Sequence, residues 1–197
     1  FAACGTEIYD VTTAGAVGAA AVTTLSNARW QYINVSTTGG NYLRAVNGED
    51  KSIVYTGTAW AKDGDGAPYD ITGVDTADCV GIYLFKNRIW LVEHNSLNVW
   101  YLGTNALGGA ATVFPLYGVA KLGGYVMAMA SWTIDAGQGA DDYLVFVTSK
   151  GEVIVYKGTD PASANTFALT GVWAMGAPVG RRCLMKYAGD LLLICQD

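Results

Sequence analysis

Residues 142–172 have the sequence DYLVFVTSKGEVIVYKGTDPASANTFALTGV, and they predict three antiparallel strands of one sheet. Residues 143–148 are apolar on both alternating faces, which is typical of a strand that is buried on both sides. Gly151 is free to take a positive φ and predicts a tight turn before a second β-branched and aromatic run at 153–156. Pro161 has no amide hydrogen to donate, so the pairing ends there, and an extended pattern resumes after a polar loop.

A short motif shows that this unit recurs along the chain. Tyr-x-Gly-Thr ends an apolar strand at 55–58, 101–104 and 156–159, and a degenerate copy starts at Tyr9. The tyrosines at 9, 55, 101 and 156 are separated by 46, 46 and 55 residues, and the polar insertion DAGQGAD at 135–141 explains the longer interval. A period of about 40–50 residues with about four short strands is typical of a β-propeller blade.

The predicted fold class is therefore all-β, a propeller-like array of four-stranded antiparallel blades. The predicted blades are 1–25 (partial), 30–75, 79–119, 124–173 and 181–197 (partial). A single blade has two apolar faces and cannot cover both, so we expect each blade to stack face to face on its neighbours. Three full and two partial blades do not close a ring easily, and the chain begins inside a strand at Phe1, which predicts that it is part of a larger protein.

Turn residues predict where the strands lie within the first full blade. The expected strands are 30–35, 42–46, 52–55 and 70–74, with a loop at 60–69. Asn47-Gly48 is a strong hairpin signal between the second and third of these strands. Before this blade, residues 21–25 could form the outer strand of the first, partial blade.

The composition limits the classes of partner. Hydrophobic residues make up 51% of the chain and charged residues 15%, against about 25% charged in ordinary domains, so we expect extensive buried surface that includes subunit contacts. The net charge of −5 predicts no general affinity for nucleic acid phosphates. The apolar run 16–22 is shorter than the roughly 20 residues of a membrane helix, so we expect no membrane anchor.

Residue types that carry chemistry are sparse. The four cysteines lack CxxC spacing and are interpreted as small buried hydrophobic residues, and no cofactor or metal is expected. His94 is the only histidine and no Gly-x-Ser-x-Gly elbow is present, so we expect a polar turn residue and no enzyme. The acidic stretches at 63–66 and 135–142 do not follow a calcium-loop pattern, which favours solvated turns over a cation site.

Aromatic and basic residues offer the remaining candidate contacts. Most of the six tryptophans lie in strand patterns, whereas Trp60 and Trp132 lie nearest to loops and are the candidates for an exposed surface that binds glycans. For Arg181-Arg182 we favour an ion pair between blades over phosphate binding. A propeller hydrolase is the weakest of the functional hypotheses, because the chain has a single histidine to act as a catalytic base and its acidic loops follow no catalytic pattern.

Four segments of the chain resemble bacteriophage tail proteins. They are NGED at 47–50 together with Trp60, LFKNRIWLVEHNSLNVWYL at 84–102, DDYLVFVTSKGEVIVYKGTDP at 141–161 and GRRCLMKYAGDLLL at 180–193. Among these, the segments resemble the propeller-bearing tail tube or nozzle proteins of short-tailed phages.

That resemblance implies a structural virion protein, made in the host cytoplasm, with no catalytic residues. It further implies a ring-shaped homo-oligomer, a hexamer, that continues the portal channel and lets genome DNA pass. The implied partners are other copies of the chain, portal or adaptor and other tail proteins, and DNA in transient contact. The alternative function is a propeller module that recognises a host receptor or glycan.

Overall fold

A computed structural model of the chain describes residues 1–66, 68–135 and 140–196, with side chains except at 134, 135, 140 and 141. Within these ranges the chain is all-β, as predicted, and a short 3-10 turn at Thr76–Asp78 is its only helical element. Three four-stranded antiparallel sheets and two hairpins account for most of the strands.

A small hairpin opens the chain. Its strands are β1 (Ala2–Cys4) and β2 (Glu7–Tyr9), which pair around Gly5. The expected outer strand at 21–25 is reduced to an isolated bridge between Ile8 and Val22. We call β1 and β2 the first hairpin.

The first sheet places its strands side by side in chain order. They are β3 (Gln31–Thr37), β4 (Gly40–Val46), β5 (Ile53–Tyr55) and β6 (Trp60–Lys62). The expectation of a loop at 60–69 is wrong at its start, because Trp60 pairs with Tyr55 on the edge of the sheet. A short turn makes this pairing geometrically easy: the amide of Thr56 donates to the carbonyl of Ala59 at 2.9 Å, and Gly57 adopts a φ of +94°.

The second sheet follows a short strand, β7 (Ile71–Thr72), and the 3-10 turn. The strands that follow in the chain are β8 (Cys79–Phe85), β9 (Arg88–Glu93), β10 (Asn98–Tyr101), β11 (Gly109–Ala110) and β12 (Thr112–Pro115). The sheet itself consists of β8, β9, β10 and β12, while β7 pairs in parallel with β11. The prediction that residues 70–74 form the fourth strand of the first sheet is therefore wrong, because β6 is the fourth strand and lies at the edge of that sheet next to β5.

The third sheet and a last hairpin complete the described chain. The strands of the third sheet are β13 (Val126–Asp135), β14 (Ala140–Thr148), β15 (Glu152–Gly158) and β16 (Phe167–Ala174). The last hairpin consists of β17 (Leu184–Tyr187) and β18 (Asp190–Leu193). The insertion predicted at 135–141 lies largely outside the described residues.

The repeat that the motif predicts is present in the sheets. Ile53, Val99 and Ile154 each lie two residues before a motif tyrosine, each on the third strand of its sheet, and each is buried. Each pairs with a residue of the second strand of the same sheet. The three positions therefore have equivalent surroundings.

The sheets stack in chain order, with one hydrophobic core in each of the four spaces between them. The following pairs represent the four cores. They are Ile8 and Ile53 between the first hairpin and the first sheet, Val46 and Leu91 between the first and second sheets, Trp90 and Phe146 between the second and third sheets, and Val145 and Leu184 between the third sheet and the last hairpin. Strand β14 shows how one strand serves two cores, because Leu144 and Phe146 face the second sheet while Val145 and Val147 belong to the core shared with the last hairpin. Because side chains alternate across a strand, neighbouring residues of β14 contribute to the two different cores.

Aromatic rings fill the core between the second and third sheets. Trp90 is completely buried, and its ring centroid lies 5.8 Å from those of Phe114 and Phe167 and 6.0 Å from that of Phe146. Aromatic pairs at such separations stabilise beyond the area that they bury.

Truncation of the third strand tests the stacking. We expect Ile154→Ala to lower the free energy of unfolding by about 2–5 kcal/mol, because it leaves a cavity between the second and third sheets. Urea denaturation followed by tryptophan fluorescence measures the loss. The control is Leu169→Ala, on the exposed side of β16 in the same sheet, which should cost less than about 1 kcal/mol. Equal losses for the two variants would contradict this arrangement of cores.

Candidate functional site

The first strands of the three sheets lie next to one another. Strand β3 packs beside β8, β8 beside β13, and β13 beside both strands of the last hairpin. Together they line a cavity of about 430 Å³, whose wall includes Gln31, Gly81, Ile82, Ala128, Met129 and Leu184. We call this the axial cavity. All three sheets and the last hairpin contribute residues to its wall.

A second cavity, of about 730 Å³, shares lining residues with the axial cavity. Gln31, Arg181 and Arg182 line both spaces. The turn residues Asn47 and Gly48 line only the second one. We call this space the arginine cavity, after the two arginines of the turn that precedes β17.

Arg181 and Arg182 connect the last hairpin to two other sheets. An Nη1–H of Arg181 donates to the carbonyl of Val126 at 3.3 Å, and an Nη2–H of Arg182 donates to the carbonyl of Trp30 at 3.2 Å. The Arg181 guanidinium also lies over the ring of Tyr125, 5.3 Å from its centroid. The expected ion pair between blades is wrong, because neither arginine reaches a carboxylate among the described residues.

The two candidate tryptophans lie in different cores. Trp60 is half-buried on β6, with its ring centroid 5.0 Å from that of Phe1 and 5.2 Å from that of Tyr55. Trp132 is half-buried on β13, 6.0 Å from the ring of Tyr143, and packs against the core that the last hairpin covers. The structure does not bring the two rings together into one surface.

His94 is exposed in the turn between β9 and β10, as expected, and its backbone amide donates to the carbonyl of Asp78 at 2.7 Å. The acidic stretch at 135–142 falls partly outside the described residues. Asp142, whose side chain is described, pairs with Lys86 at 2.9 Å and so joins the third sheet to a turn of the second. The described residues contain no group of three or more His, Cys, Asp or Glu side chains placed to hold a metal ion.

Asp63 differs from the expectation of a solvated turn. It is buried and forms an ion pair with Arg44, a completely buried residue of β4. Asp65, two residues later, is exposed and accepts a hydrogen bond from the amide of Lys62 at 2.9 Å. Only the second carboxylate behaves as a turn residue.

The Arg44 guanidinium is the centre of a buried polar network that no sequence pattern indicates. Its Nε–H donates to Ser52 Oγ at 3.0 Å, and Nη1–H donates to the carbonyls of Tyr69, at 2.8 Å, and Leu107. Burial lowers the pKa of Arg44 and raises the pKa of Asp63, because desolvation outweighs the attraction between the two charges. The network ties the first sheet to the loop between β10 and β11.

The cysteines divide into two groups. Cys79 and Cys183 are buried, as expected, and burial raises the pKa of the Cys79 thiol to about 12. The expectation is wrong for Cys4, which is exposed on β1, and Cys195 is half-buried. A strand of a two-stranded hairpin has one face without a covering sheet, which is why the apolar pattern around Cys4 does not lead to burial.

Comparisons of the chain with protein-family models, curated proteins and solved structures found no match. The similarity to phage tail proteins therefore stays a prediction from the residues quoted above. In the part of the chain that the structure describes, no helix is both long and apolar enough to cross a membrane.

The buried ion pair between Arg44 and Asp63 can be tested by substitution. We expect Asp63→Ala to lower the free energy of unfolding by about 3–5 kcal/mol, because it leaves the buried Arg44 without its counter-charge. Asp65→Ala removes a carboxylate from the same turn and should stay within about 1 kcal/mol of the unchanged protein. Thermal and urea unfolding measure both. Similar, small effects of the two substitutions would show that Asp63 is solvated.

Proposed function

We propose that this chain belongs to a structural subunit of a bacteriophage tail, of the tail tube or nozzle kind. In this proposal the stacked sheets form part of a β-propeller, and the subunits form a ring, expected to be a hexamer, through which genome DNA passes. The ring would contact portal or adaptor proteins and other tail proteins in the virion. The resemblance of the four quoted segments supports the family, and the structure supports the assembly in the following respects.

The main supporting observation is the uncovered apolar face of the last hairpin. Met185, Tyr187 and Leu192 lie on one face of β17 and β18 and are 60%, 65% and 50% exposed. Their opposite face carries Leu184 and Leu193, which pack on the third sheet. Because contiguous apolar patches on protein surfaces mark interaction sites, this face favours contact with further protein.

The sheet arrangement supports the propeller part of the proposal. The sheets stack in chain order, and their first strands surround the axial cavity, as the innermost strands of propeller blades surround a central channel. The first hairpin and the last hairpin are two-stranded, which fits partial blades at the two ends of the described array.

The charge of the chain fits a conduit for DNA. A wall that passes DNA has to avoid strong attraction to phosphates, and a chain with a net charge of −5 gains little from counterion release. The alternative, a module that recognises a host receptor or glycan, has weaker support. Both Trp60 and Trp132 are packed against other side chains, and the indole N–H of Trp60 is buried, out of reach of a ligand.

Assembly is the property to measure first. We expect multi-angle light scattering at micromolar concentration to show a stable oligomer, and electron microscopy to show rings with an open centre. Met185→Asp places a charge in the apolar face and should weaken the oligomer. Val17→Asp, at a 58% exposed position in the loop after β2, should leave it intact.

A protein that remains monomeric at micromolar concentration would contradict the proposal. An oligomer that Met185→Asp leaves intact would show that the last hairpin is not the contact surface. Binding to a glycan array, abolished by Trp60→Ala in a monomeric protein, would favour the receptor-binding alternative.

A further inference from the structure

The arginine cavity has a local charge opposite to that of the whole chain. Arg29, Arg181, Arg182 and Glu49 line it, so the charged side chains carry two net positive charges, whereas the chain carries −5. Arg29 and Glu49 neutralise each other through an ion pair of 2.9 Å. The surplus positive charge therefore belongs to Arg181 and Arg182.

Both of these arginines have hydrogen-bond donors to spare. A guanidinium has five N–H donors, and Arg181 and Arg182 each donate one hydrogen bond, to the carbonyls of Val126 and Trp30. Their adjacent positions in one turn bring both to the wall of the same space. Guanidinium groups bind tetrahedral and planar oxyanions through paired N–H donors, which makes an oxyanion the fitting ligand.

Arg181 is held in place before any ligand arrives. The Val126 carbonyl and the Tyr125 ring, 5.3 Å away, contact its guanidinium from the third sheet. Burial also lowers the pKa of Arg181, because the group is partly removed from water without a carboxylate beside it. A partly desolvated cation without a counter-charge is costly, and a bound anion would remove that cost.

The lining of the cavity also includes turn residues of the first and second sheets. These residues are Asn47, Gly48 and His94. Gly48 has a φ of +79°, and a Cβ added to it would lie 2.6 Å from Val80 Cγ1, so only glycine lets this turn approach β8. The exposed imidazole of His94 offers a further N–H donor to the cavity.

From these observations we propose that the arginine cavity is a binding site for a small oxyanion of the phosphate or sulfate class, with Arg181 and Arg182 as its principal ligands. The site does not depend on the proposed tail function. A volume of about 730 Å³ is in the range of small-molecule sites, so the cavity can hold a hydrated anion but is too small to enclose a DNA duplex. The phosphate chemistry could come from a free anion or from a nucleic acid backbone, and the experiment separates the two.

Isothermal titration of the protein with sodium phosphate and with sodium sulfate tests this site, with sodium chloride at equal ionic strength as the reference. We expect both oxyanions to bind to one site per chain. Arg182→Gln removes charge-assisted hydrogen bonds and should weaken binding by about 10- to 100-fold. Arg182→Lys keeps the charge but loses the paired donors, so its affinity for the oxyanions should lie between those of the unchanged protein and Arg182→Gln.

The matched control is Lys51→Gln, which changes the net charge by the same amount at a residue paired with Asp75 outside the cavity. It should change the affinity by no more than about 2-fold. Circular dichroism establishes that each variant is folded. The absence of oxyanion binding, or an equal loss in Lys51→Gln, would overturn the proposal.

A short DNA duplex at the same phosphate concentration distinguishes the source of the ligand. We expect no binding of the duplex that depends on Arg182. Binding of the duplex that Arg182→Gln abolishes would overturn the small-anion assignment and make the cavity a contact for the nucleic acid backbone.

Discussion

The structure depends on one constraint: each sheet is apolar on both faces and cannot cover either face by itself. Strand β14 is the clearest case, because Phe146 and Val147 are both completely buried on opposite sides of the same strand. Burial of apolar area is the dominant favourable contribution to folding, so the sheets are stable only as a stack. The same constraint explains the exposed Met185 and Tyr187, which lie on a face that no further sheet of the described chain covers.

Polar contacts fix the order of the stack more than they stabilise it. Arg44 reaches from the first sheet to Leu107, Lys86 reaches Asp142 between the second and third sheets, and Arg182 reaches Trp30. Exposed ion pairs contribute little free energy, whereas the buried arginine is costly to leave unpaired. Arg44 therefore selects one arrangement of the first two sheets, and the arginines before β17 position the last hairpin over the axial cavity.

Local rules made most strands predictable. Lys86 and Asn87 both adopt positive φ, as a two-residue hairpin needs, and the motif tyrosines mark the ends of equivalent strands. The residues after each motif were not predictable in the same way. After Tyr55 a short turn leads directly into Trp60, whereas the loop after Gly158 extends to Phe167, and nothing in the shared motif specifies this length. The strand at 71–72 was misplaced for that reason.

The candidate site was less predictable, because it depends on contacts between distant segments. Arg182 and Trp30 are separated by 152 positions, and the burial of Arg44 and Asp63 follows from two sheets meeting over them. No spacing rule in a single sequence contains such contacts. The exposure of Cys4 was missed for the related reason that a two-stranded hairpin covers only one of its faces.

Hydrogen–deuterium exchange, resolved by peptide, tests the serial stack most directly. In the Met185→Asp protein, whose last hairpin should not be covered by another subunit, the account predicts slow exchange of the third strands β10 and β15, which lie between two neighbours. It predicts fast exchange of the first and last hairpins, because local opening at the ends exposes less buried surface. Equal exchange rates for the hairpins and for β10 and β15 would contradict it.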